Sequence, residues 1–199
     1  MKHQLTENKI ITEKHARKLL RATKETMQLA ISTGKNLHYI NDHNLFAIAY
    51  STGLRVSELL DLTWGDISED SLLVRNGKGN KKRSVVFGPK TREIIDNFRN
   101  TQQQHLGREC AADTPIFIGQ RGQLSRVGAH LRLKHWISKL GLPKALSIHS
   151  FRHGYATRLL NEGIPLHSVK EQLGHSNIAT TSTYLHFTDE AKERLKRVL

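Results

Sequence analysis

One cysteine, four prolines and an aromatic share of 6% leave this 199-residue sequence poor in the features that small secreted scaffolds rely on. A lone thiol, Cys110, can close no internal disulfide, so a disulfide-stapled fold is excluded and the usage fits a reducing compartment. No hydrophobic run approaches the roughly 20 residues of a spanning helix. The opening stretch, MKHQLTENKIITEKHARKLL, has no apolar segment of the secretory-signal kind. Acid is scarce as well: 18 Asp and Glu stand against 31 Lys and Arg, a net charge of +13. A surplus of that size points to nucleic acid or an acidic membrane surface. The length suits one ordinary domain, large enough to bury a core without a metal or disulfide staple. Apolar periodicity runs through most of the chain, which excludes a disordered basic tail.

That periodicity is mostly helical. Residues 1–11 are polar and read as a flexible lead-in. Thr12 reads as a helix N-cap, followed by an apolar face at Ala16, Leu19, Leu20 and Thr23. A second helix is expected over Asn41–Ser51. Gly53 interrupts it, and Val56–Leu60 reads as a short further helix. Then the period changes. Leu72–Arg75 and Arg83–Phe87 are β-prone, with Asn76, Gly77, Gly79 and Asn80 between them, the composition of a hairpin loop. Pro89 opens a helix to about Gln104. Gly107–Gln123 is looser, and helical pattern resumes from Ser125 to Leu140. From His149 onward the chain is helical in pieces, broken at Gly163-Ile164-Pro165 and at Leu173-Gly174-His175-Ser176. Thr188 and Asp189 cap a last amphipathic helix. The expectation is a single, mainly α domain over 12–199 with a small antiparallel sheet near residues 70–88.

Two segments carry basic residues without local acid. Arg75, Lys78, Lys81, Lys82 and Arg83 crowd the hairpin, and Arg126, Arg132, Lys134, Lys139 and Lys144 follow on a helix. A solvated face is the ordinary fate of such runs. The unevenness here favours a surface for phosphates, with a hairpin tip suited to a groove and a helix suited to a backbone. Arg75, Lys81, Lys82, Arg83, Arg126, Arg132 and Lys134 are the expected DNA contacts.

Four strings are read together: TGLRVSEL at 52–59, NGKGNKKR at 76–83, HSFRHG at 149–154 and LGHSNIATTSTY at 173–184. A set of two arginines, a lysine, two histidines and a tyrosine can be drawn from them. Such a set suits a phosphodiester. Arginine stays charged and donates two parallel hydrogen bonds to non-bridging oxygens, where charge builds in the transition state. A tyrosine oxygen can attack phosphorus and form a covalent intermediate, with help from a base or a positive field because its free pKa is near ~10. A lysine can protonate the departing sugar oxygen. His149 and Arg152, three apart, share one face of a helix.

In this order and spacing the strings resemble the tyrosine recombinases, or phage integrase family, over about Thr12–Leu185. The resemblance implies that family's catalytic-domain fold and assigns roles by position. Arg55 matches the first catalytic arginine, Lys78 the hairpin general acid, and His149 and Arg152 the HxxR pair. His175 matches the histidine of LGH, and Tyr184 the nucleophile that forms a 3′-phosphotyrosyl link and frees a 5′-hydroxyl. The implied activity is site-specific recombination: integration, excision, inversion or resolution of a DNA element. Its implied partners are double-stranded DNA, further copies in a tetrameric synapse, and an accessory DNA-bending or partner protein. No cofactor and no metal are implied, and the setting is the cytoplasm of a prokaryote. Type IB topoisomerases share this chemistry and stop at relaxation. A regulator on an inactive recombinase scaffold is the reading from another class.

Several residues carry a second reading. Arg55 could pair with Glu58 on a surface turn, whereas the resemblance makes Glu58 a buried residue that orients the site. His149, His153 and His175 suggest zinc, but there is no HExxH and the basic setting opposes a cation. His153 reads as packing. Tyr50 and Tyr155 fall in apolar stripes and read as core, Tyr39 stays undecided, and Cys110 reads as inert. Most of these recombinases carry an N-terminal DNA-binding domain for which this sequence has no room, so weak binding by a lone monomer and cooperative assembly are expected. The segment after Tyr184 has an apolar face that docks either on a neighbouring protomer or on its own domain.

Overall fold

The computed structural model describes residues 9–77, 82–119 and 122–174. Helix α1 (Glu13–Thr33) begins where Thr12 accepts the His15 N–H through its side chain, 3.3 Å, and ends at Gly34 in the left-handed region. It buries Ala16, Leu19, Thr23 and Ala30, while Leu20 is half-buried. Helix α2 (Tyr39–Thr52) is buried on most of its circumference because α1, α4 (Pro89–Leu106) and α6 (Ile148–Asn161) all pack against it. Ile40, Leu45, Phe46, Ile48 and Ala49 are its buried axis, and the Phe46 ring stacks on Phe151 of α6 with centroids 6.0 Å apart.

Gly53 ends α2 and α3 (Val56–Leu60) follows. A 3-10 turn at Trp64–Asp66 leads into β1 (Ser71–Val74), antiparallel to β2 (Arg83–Val86) with Val74 opposite Arg83 and Leu72 opposite Val85. Leu72, Val74 and Val85 face the core, and Leu73 and Val86 face out. Pro89 occupies the first turn of α4 as expected. The segment after α4 is less loose than its composition suggests. Ile116 and Phe117 are buried, buried Gln102 donates to the Ile116 carbonyl at 2.6 Å, and a second ribbon forms from β3 (Ile118–Gly119) and β4 (Gly122–Gln123).

Helix α5 (Arg126–Leu140) starts from Ser125, whose hydroxyl accepts the Gly128 N–H, and stops at Gly141. Helix α7 (Leu166–Leu173) follows the Gly163-Ile164-Pro165 break and ends at Gly174. The expected terminal helix lies outside the described residues.

The lead-in is anchored earlier than expected. Ile10 and Ile11 are buried, and the Ile11 N–H donates to the Ser150 carbonyl at 3.3 Å. Gly154 makes this possible: a Cβ there would sit 2.4 Å from the Ile11 carbonyl oxygen. Tyr155 is core. Tyr50 is half-buried beneath the Arg158 guanidinium, which lies 4.3 Å from its ring centroid, and Tyr39 meets Trp136 edge-on at 5.8 Å. Cys110 is buried, and burial pushes its thiol up from the ordinary range. No helix among the described residues is long and apolar enough to cross a membrane.

Candidate functional site

The turn between α2 and α3 delivers Arg55. Gly53 adopts φ +63°, and a Cβ there would meet the Tyr155 ring at 2.5 Å, so a side chain is excluded by both conformation and space. Buried Leu54 anchors the turn, leaving Arg55 as the N-cap of α3 in extended conformation. Its side chain is 23% exposed.

Glu58, three residues on, is the centre of the arrangement. Its side chain is 2% exposed. Oε2 accepts the Arg55 backbone N–H at 2.9 Å and Oε1 accepts Arg55 Nη1 at 2.8 Å. Arg83, from β2, closes a two-pronged fork on the same carboxylate, Nη1 to Oε1 at 2.9 Å and Nη2 to Oε2 at 2.8 Å. Burial alone would raise the carboxyl, but the hydrogen bonds and charge of Arg83, with the hydrogen bonds of Arg55, hold it at about 2. Both sequence readings of the Arg55–Glu58 pair therefore contribute: the ion pair exists, and its acid is buried.

Helix α6 contributes His149, Arg152 and His153. Arg152 is buried, donating Nη1 to the Gly53 carbonyl at 3.0 Å and Nη2 to the Leu173 carbonyl. It thereby links the turn before Arg55 to the end of α7. His149 stands exposed on the first turn of α6. The protein around its ring disfavours the charged form, and the charges of Arg152 and Arg55 add to that, so its pKa lies below the ordinary value. His153 meets His149 edge-on, ring centroids 4.8 Å apart, and burial with the His149 and Arg152 charges lowers it to about 4. Two neutral imidazoles thus lie beside two permanent cations. Among the described residues no group of three or more His, Cys, Asp or Glu is disposed to hold a metal ion.

The structure thus brings Arg55, His149 and Arg152 together from strings almost a hundred residues apart. Gly174 joins them: its carbonyl lies 3.4 Å from Arg55 Nη2, and His175 is the next residue in the chain. Lys78, Lys81, His175 and Tyr184 lie outside the described residues.

The expected DNA contacts divide into two groups. Lys82 and Arg126 are exposed. Arg75 is 45% exposed and pairs with Asp66 at 3.0 Å. The others face inward. Arg83 is 13% exposed and holds Glu58. Arg132 pairs with buried Asp42, whose other oxygen accepts the Trp136 indole N–H at 2.9 Å. Lys134 donates to the carbonyls of Lys144 and Leu146 at 2.6 and 3.0 Å. The inward turn of Arg83 has a sequence signature that charge counting passes over. Arg83, Val85 and Phe87 alternate along one strand face, and the latter two are buried.

The tyrosine recombinase XerD of Chlamydia trachomatis serovar D is 39% identical over 143 residues, covering 71% of this chain and 47% of that protein. XerD of Staphylococcus saprophyticus is 35% identical over 182 residues, covering 89% and 61%. The chain therefore spans about half to three-fifths of the length of these relatives. The fold is that of XerH site-specific recombinase, solved bound to palindromic difH substrate in a post-cleavage complex, with a TM-score of 0.73 at 22% identity over 97% of this chain and 53% of that one. The model of the phage integrase family matches residues 9–191. With nearly its whole length matched, the chain accordingly belongs to the phage integrase family.

Proposed function

We propose that residues 12–199 act as the catalytic domain of a site-specific DNA recombinase that cuts and rejoins strands through Tyr184. The observation that carries this reading is the convergence of Arg55 and Arg152 with His149 at one place on a basic chain. The named activity of the XerD relatives and the substrate-bound state of XerH support it.

The chemistry follows from the donor set. A scissile phosphate beside Arg55 meets a guanidinium fixed by Glu58, with Arg152 supplying a second permanent charge. His149 and His175 donate hydrogen bonds through their ring N–H groups to the non-bridging oxygens. The Tyr184 oxygen attacks phosphorus and gives up its proton to a neighbouring base or to water. The bond to the 5′ oxygen breaks, and Lys78 protonates that oxygen. The product is a 3′-phosphotyrosyl ester and a 5′-hydroxyl. Attack by the 5′-hydroxyl of a second strand reverses the step on a new partner, and the ester bond is conserved throughout. Lys81, Lys82, Arg75 and Arg126 contact the backbone of the duplex, with Arg132 and Lys134 shaping the surface behind them. Further copies complete a tetrameric synapse, with an accessory DNA-bending protein, in the cytoplasm of a bacterial cell.

The test is covalent trapping. The protein is incubated with duplex fragments from its own genomic neighbourhood and stopped with detergent, beside Tyr184→Phe. The expected result is protein-linked DNA that disappears in the variant while binding persists, with recombinant products on longer incubation. Relaxed topoisomers without recombinants would make it a topoisomerase. Binding without any adduct would refute cleavage by this chain.

A further inference from the structure

Arg83 lies in the basic hairpin string, and its charge alone suggests a phosphate contact. Its surroundings say otherwise. The guanidinium is directed into the protein and meets two of the other three strings, at Glu58 and at Gly174. Its fork holds both oxygens of Glu58 in TGLRVSEL. Its Nε donates to the Gln172 carbonyl at 3.1 Å, at the end of α7. The same group packs flat over Gly174, where an added Cβ would lie 2.9 Å from Arg83 Cδ, Nε and Cζ. The Gln172 side chain returns the contact, its Oε1 accepting the Val86 N–H at 3.1 Å. Strand β2 and the end of α7 are thus tied at two points, immediately before His175.

The count of lone pairs shows what this does for Arg55. A carboxylate offers about four acceptor sites. In Glu58 two are taken by Arg83, one by the Arg55 backbone N–H and one by Arg55 Nη1. With Arg83 in place, Arg55 gives Glu58 a single side-chain N–H. Without it, the buried carboxylate would have two open sites and a full negative charge to satisfy, and the nearest donor is the rest of the Arg55 fork. The charge count agrees. Two arginines and one glutamate leave the group net positive, whereas Arg55 and Glu58 alone would cancel.

We infer that Arg83 is a positioning residue for strand cleavage: by holding Glu58 and the end of α7 it keeps the Arg55 fork directed at the scissile phosphate rather than folded onto its own acid. This rests on the cleavage reading above and adds to it a residue that does not touch DNA.

Three measurements on the full chain test it, using Arg83→Lys, Arg83→Met and the double variant Glu58→Gln/Arg83→Met. The double variant leaves no buried carboxylate without a partner, and it takes the place of Arg83→Met in the three measurements if that variant does not fold. First, single-turnover formation of the covalent adduct is followed at saturating DNA. Arg83→Lys and Arg83→Met should fall about 100-fold, the scale expected when a catalytic group is displaced by ~1 Å. Lysine, a point charge without the fork, should restore little. Second, the dependence of log affinity on log salt should keep the wild-type slope. A slope reduced by about 0.9, with the wild-type rate recovered at saturation, would put Arg83 on a phosphate and overturn the inference. Third, the Arg55 side-chain Nε–H NMR resonance, assigned with Arg55→Lys, should move in Arg83→Met without DNA. A resonance that stays in place overturns the inference whether or not the protein cleaves. A wild-type chain that forms no adduct, with a resonance that still moves, defeats the cleavage reading and leaves the coupling of Arg83 to Arg55 intact.

Discussion

Replacing Glu58 with glutamine removes a negative charge from a position enclosed by two guanidinium groups, and the loss can be sized from the acid titration of that group. In the folded protein the carboxyl titrates at about 2, against an ordinary 4.5. Each unit of depression is worth about 1.36 kcal/mol, so the carboxylate contributes roughly 3 kcal/mol to folding. The folded value is the lower one, so this contribution is complete above the ordinary value and is lost as pH falls through the folded one. Between about pH 5 and pH 3 the wild type should lose roughly 2 kcal/mol from this group alone. Glu58→Gln should begin about 3 kcal/mol less stable at pH 5, because Arg83 and Arg55 lose their counter-ion, and should lack that component of the acid slope. Urea unfolding followed by the fluorescence of Trp64 and Trp136 gives both curves, and other carboxylates cancel in the difference. A gap that narrows by roughly 2 kcal/mol toward pH 3 is the expected result. A gap of constant width would refute the placement of Glu58 in a two-arginine cage.

Three further outcomes follow from the packing. Gly154→Ala forces a Cβ against the Ile11 carbonyl at 2.4 Å, and should lower stability by about 1–3 kcal/mol in thermal or urea unfolding. Asp42→Asn takes the counter-ion from Arg132 and should cost about 3 kcal/mol, with a shift of Trp136 emission because its indole N–H shares that carboxylate. His153 titrates at about 4 when folded and 6.5 when not, so it resists protonation in the native state. Wild-type stability should therefore decline as pH falls from 6.5 toward 4, and His153→Gln should remove part of that decline, leaving the share of the similarly shifted His43.

What could be read in advance was what depends on neighbours in sequence. The Thr12 cap, the Gly53 break and the alternation on either side of the hairpin are local, and they place the start of α1 and the bounds of α3, β1 and β2 to within a residue or two. The apolar run in α2 announces a helix, although not the helices that pack against it. The strings locate Arg55, His149 and Arg152 through resemblance, and the structure adds their mutual placement.

What could not be read was set by partners far along the chain. The α5 segment has no acid nearby, yet Arg132 finds Asp42, ninety residues earlier. The hairpin has none either, yet Arg83 finds Glu58. A charge surplus counted in a window therefore overstates the cations that face solvent. The same limit applies to Ile10, Ile11, Ile116 and Phe117, whose order comes from docking onto the rest of the fold rather than from any period of their own.

The opposition of Val74 and Arg83 across the hairpin turns the site into a matter of parity. A strand shows alternate residues to alternate sides, so a slip of one position would send Arg83 to solvent and offer Glu58 a lysine from one side or a serine from the other. The spacing that has to be kept is thus the even step from Arg83 to Val85 to Phe87. One inserted residue between Arg83 and Val85 should uncouple the hairpin from the arginine that the hairpin helps to aim.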